Sequence, residues 1–140
     1  MSSPPAGQAF VVDASVSAAW LLPDEATEQT EAMLLATATH EVWVPSLWLL
    51  EVGNLLLGAQ RRRRITADKR RELAAAASAL RLRVDRQPVT ISALDDIAAG
   101  HALTAYDAAY LELAMRRGLP LATLDDALLA AMAKAGVPAA

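Results

Sequence analysis

The sequence predicts an α/β fold, a short parallel sheet flanked by helices on both faces, and three observations carry that prediction. Short apolar runs at 9–12, 42–44 and 121–123 replace the alternating pattern of a half-exposed sheet, as strands covered on both sides require. Longer segments of helical periodicity separate them, and strands alternating with helices build parallel sheets. Alanine and leucine dominate a chain of 140 residues that is 54% hydrophobic and 21% charged. That composition excludes a disordered chain and suits one helix-rich domain with a real core.

Residues 1–8 lack the basic flank and apolar core of a signal peptide. They read as a frayed N-terminal extension before a single domain at 9–138, and a cytoplasmic location is expected. The first strand, 9–12, ends at Asp13, on the edge where open α/β sheets bind ligands. Asp13 or Ser15 could equally cap a helix over 16–22, which Pro23 closes. Asp24 and Glu25 open a second helix toward Ala38, with acids in its first turn. After the second strand, 42–44, Pro45 stops the sheet and Ser46 is placed to cap a helix from Leu47 to about Arg63. That helix is apolar nearly all round, so its first half is expected to be buried against more than one neighbour. Glu51 lies in that half, on a face with Leu47, Trp48, Asn54 and Leu55, where an unpaired carboxylate would be costly.

Thr66 caps the next helix, 67–80, with Leu73, Ala76, Ala77 and Leu80 as its inward stripe. A weaker strand follows at 82–84, and Ser92 with Asp95 has capping-box spacing for a helix ending near Gly100. Thr104 starts a helix through Arg117, stopped by Gly118 and Pro120. The last strand, 121–123, leads through Asp125 and Asp126 into a final helix that reaches Lys134, ended by Gly136 and Pro138. The longest apolar region, 42–57, is interrupted by Pro45, Glu51 and Asn54 and is too short to span a membrane. There is no cysteine, and the two histidines, His40 and His101, are far apart, which disfavours a zinc site.

Four acids occupy comparable places: Asp13 after the first strand, Glu51 in the apolar helix, Asp107 in a first helical turn and Asp125 after the last strand. Each has a structural reading too, since Asp107 could complete a capping box with Thr104, and Asp126 one with Thr123. Convergence of four carboxylates would demand a neutralising cation. Hard oxygen donors without histidine or cysteine select Mg²⁺ or Mn²⁺.

Four blocks carry a resemblance to the PIN-domain family, and within it to the VapC-type ribonuclease toxins of bacterial toxin–antitoxin pairs. They are Val11-Val12-Asp13-Ala14-Ser15; Pro45-Ser46-Leu47-Trp48 with Glu51-Val52-Gly53-Asn54; Leu103-Thr104-Ala105-Tyr106-Asp107-Ala108-Ala109-Tyr110; and Leu121-Ala122-Thr123-Leu124-Asp125. The blocks stand in the family's order from Phe10 to about Val137. The resemblance implies a PIN-like fold, hydrolysis of RNA with Mg²⁺ or Mn²⁺, and an acidic site at Asp13, Glu51, Asp107 and Asp125. Ser15, Asn54 and Thr123 match its supporting polar positions, and the adjacent Asp126 leaves open which of the two acids faces the metal. Asp13 and Asp107 are expected as direct ligands, Asp125 as a ligand or the holder of a metal-bound water, and Glu51 as a ligand through water or the group that orients the attacking water. A homodimer is also implied, as is a cognate antitoxin docked on exposed apolar side chains of the first helices.

Other classes lack their signatures. No phosphate-cradling glycine loop and no G-x-S-x-G elbow is present, and the strand ends lack the central acid and the lysine of a phosphoacceptor receiver domain. The remaining alternatives are an RNA-processing PIN nuclease that is not a toxin, and a non-catalytic PIN-like binding module.

The net charge of −3 conceals a strong asymmetry. Residues 1–60 hold seven acids and no Lys or Arg, whereas 61–86 hold ten basic side chains against three acids. A solvated helix face explains some of these. An acidic site also repels an RNA backbone, so Arg61, Arg62, Arg63 and Arg64 with Lys69, Arg70 and Arg71 are candidate RNA contacts.

Overall fold

The computed structural model describes residues 8–140, so the expected N-terminal extension lies, apart from Gln8, outside the described residues. Four parallel strands, β1 (Ala9–Val12), β2 (Glu41–Pro45), β3 (Leu82–Asp85) and β4 (Leu121–Ala122), form one sheet in the order β3-β2-β1-β4. Among the described residues seven α-helices flank it: α1 (Ala14–Leu21), α2 (Glu28–Ala36), α3 (Trp48–Arg61), α4 (Ala67–Ala79), α5 (Ile91–His101), α6 (Ala105–Arg117) and α7 (Asp126–Ala135). The expected α/β class and PIN-like architecture are what the chain adopts. No helix among the described residues is long and apolar enough to cross a membrane.

The apolar runs became strands because both faces of the sheet are covered: Val11, Val12, Val42, Val44 and Leu121 are fully buried. The helix contributing most to this core is α6, which buries Ala108, Ala109, Tyr110, Leu111, Leu113 and Ala114. At the sheet's outer side the Arg117 guanidinium lies 3.5 Å over the Trp43 ring and reaches Asp85 at the end of β3.

Strand register aligns the carboxyl edge. Val11 pairs with Trp43, Val12 with Ala122, and Pro45 with Asp85. One and two residues further, Thr123, Asp13, Pro45 and Asp85 form a single row across the sheet.

Several helix boundaries differ from expectation, each for a local reason. Asp13 itself caps α1, so the helix starts at Ala14, and Ser15 lies inside it. The helix expected from Asp24 is split into a 3₁₀ turn, Pro23–Glu25, and α2, because Thr27 and Thr30 cap each other reciprocally and restart the helix. Ser46 does not cap α3, which begins without a side-chain cap and stops at Arg61, just before Arg63 adopts a left-handed φ of 59°. Thr90 rather than Ser92 caps α5, two residues earlier than the Ser92–Asp95 spacing suggested.

The first half of α3 is buried against more than one neighbour, as expected, because it packs on both α1 and α4, yet one side of it stays open. Trp48, Val52, Leu56 and Ala59 form its inward stripe, while Leu49 and Leu50 are 54% and 73% exposed. Residues four apart share that face; beside it Glu51 reaches Tyr110 and Leu55 packs on the core, while the side of Leu49 and Leu50 stays exposed. On α4 the stripe is Leu73 and Ala77, with Ala76 exposed.

A carboxylate cluster at the sheet edge

Asp13 is the fixed point of the site. It is 3% exposed, and each of its oxygens is held. Oδ1 accepts from Ser15 Oγ at 2.6 Å and from the Val16 amide at 3.1 Å, while Oδ2 accepts from the Thr123 hydroxyl. Ser15 and Thr123 each have a second partner in the loop after β4. Ser15 Oγ accepts from the Leu124 amide at 2.9 Å, and Thr123 Oγ1 from the Asp125 amide at 3.0 Å. Asp13 is therefore bracketed to the segment that carries Asp125. From below, Ser17 Oγ donates to the Asp13 carbonyl and accepts from the Trp48 indole, which ties the start of α1 to the start of α3.

Glu51 projects from α3 one turn after Leu47, and its Oε1 accepts the Tyr110 hydroxyl of α6 at 2.6 Å. Asp107 sits in the first turn of α6, whose Thr104 cap accepts the Asp107 amide at 3.1 Å. Asp125 caps α7 by accepting the Leu128 amide at 2.8 Å, which replaces the capping box expected between Thr123 and Asp126. Strand ends and helix starts thus deliver all four acids to the carboxyl edge of the sheet.

The acids are close enough for their charges to act on one another. Burial raises the proton affinity of Asp13 above the ordinary range, against the lowering effect of its hydrogen bonds to Ser15, Thr123 and Val16. Burial also raises Glu51; the Tyr110 hydrogen bond opposes this, and the charges of Asp107 and Asp13 add to it. Asp107 is raised by burial first, then by the charges of Asp125 and Asp13. Of the two adjacent acids, Asp125 is the one whose charge reaches Asp107, while Asp126 is exposed.

Among the described residues no three His, Asp or Glu side chains approach closely enough to make a finished ligand shell. The acids are neighbours, each held by its own local bonds. Their donor set is oxygen only, and it carries a mutual repulsion that a hard divalent cation would relieve. The residues fit such an ion.

Of the supporting positions, Ser15 and Thr123 hold Asp13 directly. Asn54 is exposed one turn beyond Glu51, with no side-chain bond among the described residues. Sequence reasoning missed Tyr110 and Ser17 as parts of the site. Tyr110 lies three residues after Asp107 and so shares its helix face, a spacing that could have flagged it. Ser17 carried no comparable signal, because its role depends on Trp48, 31 residues away.

The basic stretch lies elsewhere. Ten residues of helix separate Glu51 from Arg61, which puts the arginines roughly 15 Å along α3 from the cluster. Arg64 pairs with Asp24 and Glu25, Arg71 with Asp68, Lys69 with Glu72, and Arg70 bonds Gln60.

Fold and site together define an α/β protein with an all-carboxylate centre at the carboxyl edge of a parallel sheet. The PIN domain model matches residues 10–135, and the chain belongs to the PIN-domain family, whose members are in general metal-dependent nucleases. Six chains of solved structures match. One is the crystal structure of PAE2754 from Pyrobaculum aerophilum, at 28% identity and a TM-score of 0.63, covering 89% of this chain and 80% of that one. A comparison with curated proteins finds no match.

Proposed function

We propose that this protein is a Mg²⁺- or Mn²⁺-dependent endoribonuclease that hydrolyses RNA phosphodiester bonds, and that it is the toxin of a toxin–antitoxin pair. The observation that carries the catalytic reading is that the charges of Asp13 and Asp107 reach Glu51, and those of Asp13 and Asp125 reach Asp107, at one sheet edge. When bound there, the cation supplies neutralising charge for the phosphate and a more acidic water. Asp13 and Asp107 would hold it directly, and Asp125 would hold it or its water. Glu51, steadied by Tyr110, would orient the attacking water and take its proton. Ser15 and Thr123 fix the two oxygens of Asp13, and Asn54 supports the site as a polar neighbour of Glu51. Asp126 stays outside, because it is exposed at the start of α7.

Arg61, Arg62 and Arg63 are exposed and hold RNA phosphates away from the cleaved bond. Arg64, Lys69, Arg70 and Arg71 join them by exchanging weak surface partners for phosphate. The exposed Leu49, Leu50 and Leu57 of α3 suit an apolar partner surface, in keeping with a cognate antitoxin and with a homodimer. The expected setting is the cytoplasm.

The deciding experiment is RNA cleavage by purified protein with and without Mg²⁺ or Mn²⁺, compared with Asp107→Asn. Metal-dependent cleavage lost in the variant supports the enzyme; no cleavage in either metal leaves a non-catalytic binding module. Brief induction in cells, followed by sequencing of RNA ends, separates a toxin from an RNA-processing nuclease by whether growth arrests.

A further inference from the structure

The row Thr123, Asp13, Pro45 and Asp85 continues past the acids into a second feature. A cavity of about 290 Å³ opens between the ends of β2 and β3, the loop after β3 and the middle of α6. Its β2 side is one strand spacing, roughly 5 Å, from the strand that carries Asp13. Both long walls lead back to the cluster: Leu47 precedes Glu51 by one helical turn, and Ala109 follows Asp107 on α6.

The floor of the cavity is rigid. Arg116 donates to both oxygens of Asp85 at 3.0 and 3.1 Å, to Glu112 at 2.9 Å and to Gln87 Oε1 at 2.7 Å, and Arg117 adds a bond to Asp85 at 2.8 Å. Two acids and two guanidiniums cancel, and the Gln87 carboxamide is fixed with its oxygen toward Arg116 and its NH₂ group free. Ser46 Oγ and the Arg86 guanidinium, also lining the cavity, enter none of the hydrogen bonds or ion pairs of the described residues. Pro88, Leu94 and Leu113 supply apolar walls.

Apolar walls with unspent donors at the mouth suit a flat ring that has apolar faces and a polar edge. Single-stranded RNA presents such rings, splayed out with their edges free. Because donors outnumber free acceptors, a base edge with two acceptors is favoured, and arginine reads the O6 and N7 of guanine through two parallel bonds. We propose that this cavity receives a nucleobase of the RNA strand beside the cleaved phosphodiester, and that Arg86 and Gln87 make guanine the preferred base. The assignment rests on the nuclease reading for its ligand.

Two readouts test it. The first is fluorescence anisotropy with Asp107→Asn protein in Mg²⁺, using short labelled oligoadenylates with and without one central guanosine. The guanosine should tighten binding about tenfold. Arg86→Ala and Gln87→Ala should each remove most of that gain, and Ser46→Tyr, at an exposed position on the rim, should close the mouth and remove all of it. The second readout maps RNA ends made by active protein: cuts should cluster at guanosines and spread to other bases in Arg86→Ala. Equal binding of the two oligonucleotides, or a guanosine gain that survives all three substitutions, overturns the assignment. Protein that cuts no RNA in either metal yet keeps an Arg86-dependent guanosine gain overturns the nuclease reading and leaves the cavity assignment standing; cutting without any base effect does the reverse.

Discussion

The Tyr110 hydroxyl donates to Glu51 Oε1 over 2.6 Å, linking α6 to α3 across the mouth of the acid cluster. This bond is the one influence that lowers the proton affinity of Glu51, against burial and the charges of Asp107 and Asp13. Its loss in Tyr110→Phe leaves the upward shift unopposed. The acid limb of the cleavage pH profile should therefore move to higher pH, at a stability cost of about 1 kcal/mol for one hydrogen bond. Initial rates measured across a pH series decide it, and an unmoved acid limb would show that Glu51 does not titrate in the reaction.

Glu51→Gln separates service to the reaction from service to the fold. The amide keeps the shape and can still accept from Tyr110. Stability should stay within about 1 kcal/mol, because no ion pair is broken, while cleavage falls steeply. A stable and fully active Glu51→Gln protein would remove Glu51 from the site.

Neutralising Asp107 should stabilise the metal-free protein, whereas neutralising Asp13 should not. Asp107→Asn removes repulsion from Asp125 and Asp13. Asp13→Asn removes repulsion as well, but an amide cannot accept at both ends, and bonds from Ser15, Val16 and Thr123 are at stake. The pH dependence has the same origin. Asp13, Glu51 and Asp107 all have folded values raised above the unfolded ones, so their charged forms destabilise the fold above those raised values. Acidifying metal-free protein from neutral pH through that window should raise its melting temperature. Mg²⁺ or Mn²⁺ should raise it at neutral pH, an effect lost in Asp107→Asn. A wild-type melting temperature indifferent to both metals would sink the metal site.

Acid stability at the other end of the row has the opposite sign. Asp85, whose side chain is 3% exposed, is pulled down to about 2 by Arg116, with help from Arg117 and the Gln87 amide. A depressed carboxylate contributes stability that is full above the unfolded value of 3.8 and lost as pH falls through 2. A shift of that size corresponds to about 2 kcal/mol. Urea unfolding between these pH values should show the loss in wild-type protein and a flatter dependence in Asp85→Asn, which is also less stable at neutral pH because two guanidiniums lose their partner.

What the sequence made legible follows from how local the causes are. Asp13, Glu51, Asp107 and Asp125 could be placed because apolar strands and capped helices set their positions within a few residues. The exposure of Leu49 and Leu50 could not, since an all-round apolar helix does not say which face finds a neighbour. Thr27 and Thr90 took over as caps from acids and serines nearby, because several residues in each stretch can accept a first-turn amide and the pattern alone does not choose among them. The Asp85–Arg116–Arg117 network was invisible because its partners are 31 and 32 residues apart and meet only when α6 packs across β1 and β2 and brings its last turn to the end of β3.

The last prediction concerns the distant arginines. If Arg61 and Arg62 contact phosphates, each contact releases counterions, and the logarithm of the RNA association constant falls linearly with that of salt. Replacing both by alanine should lower the slope by roughly 0.7 per lost contact for single-stranded RNA. Arg64→Ala should lower it less, because Asp24 and Glu25 already engage that guanidinium at 2.8 and 2.9 Å. The measurement uses Asp107→Asn protein, so that RNA is bound and not cut. An unchanged slope in the double variant would assign the arginines to solubility or to a protein partner, because a phosphate contact cannot be lost without returning its counterion.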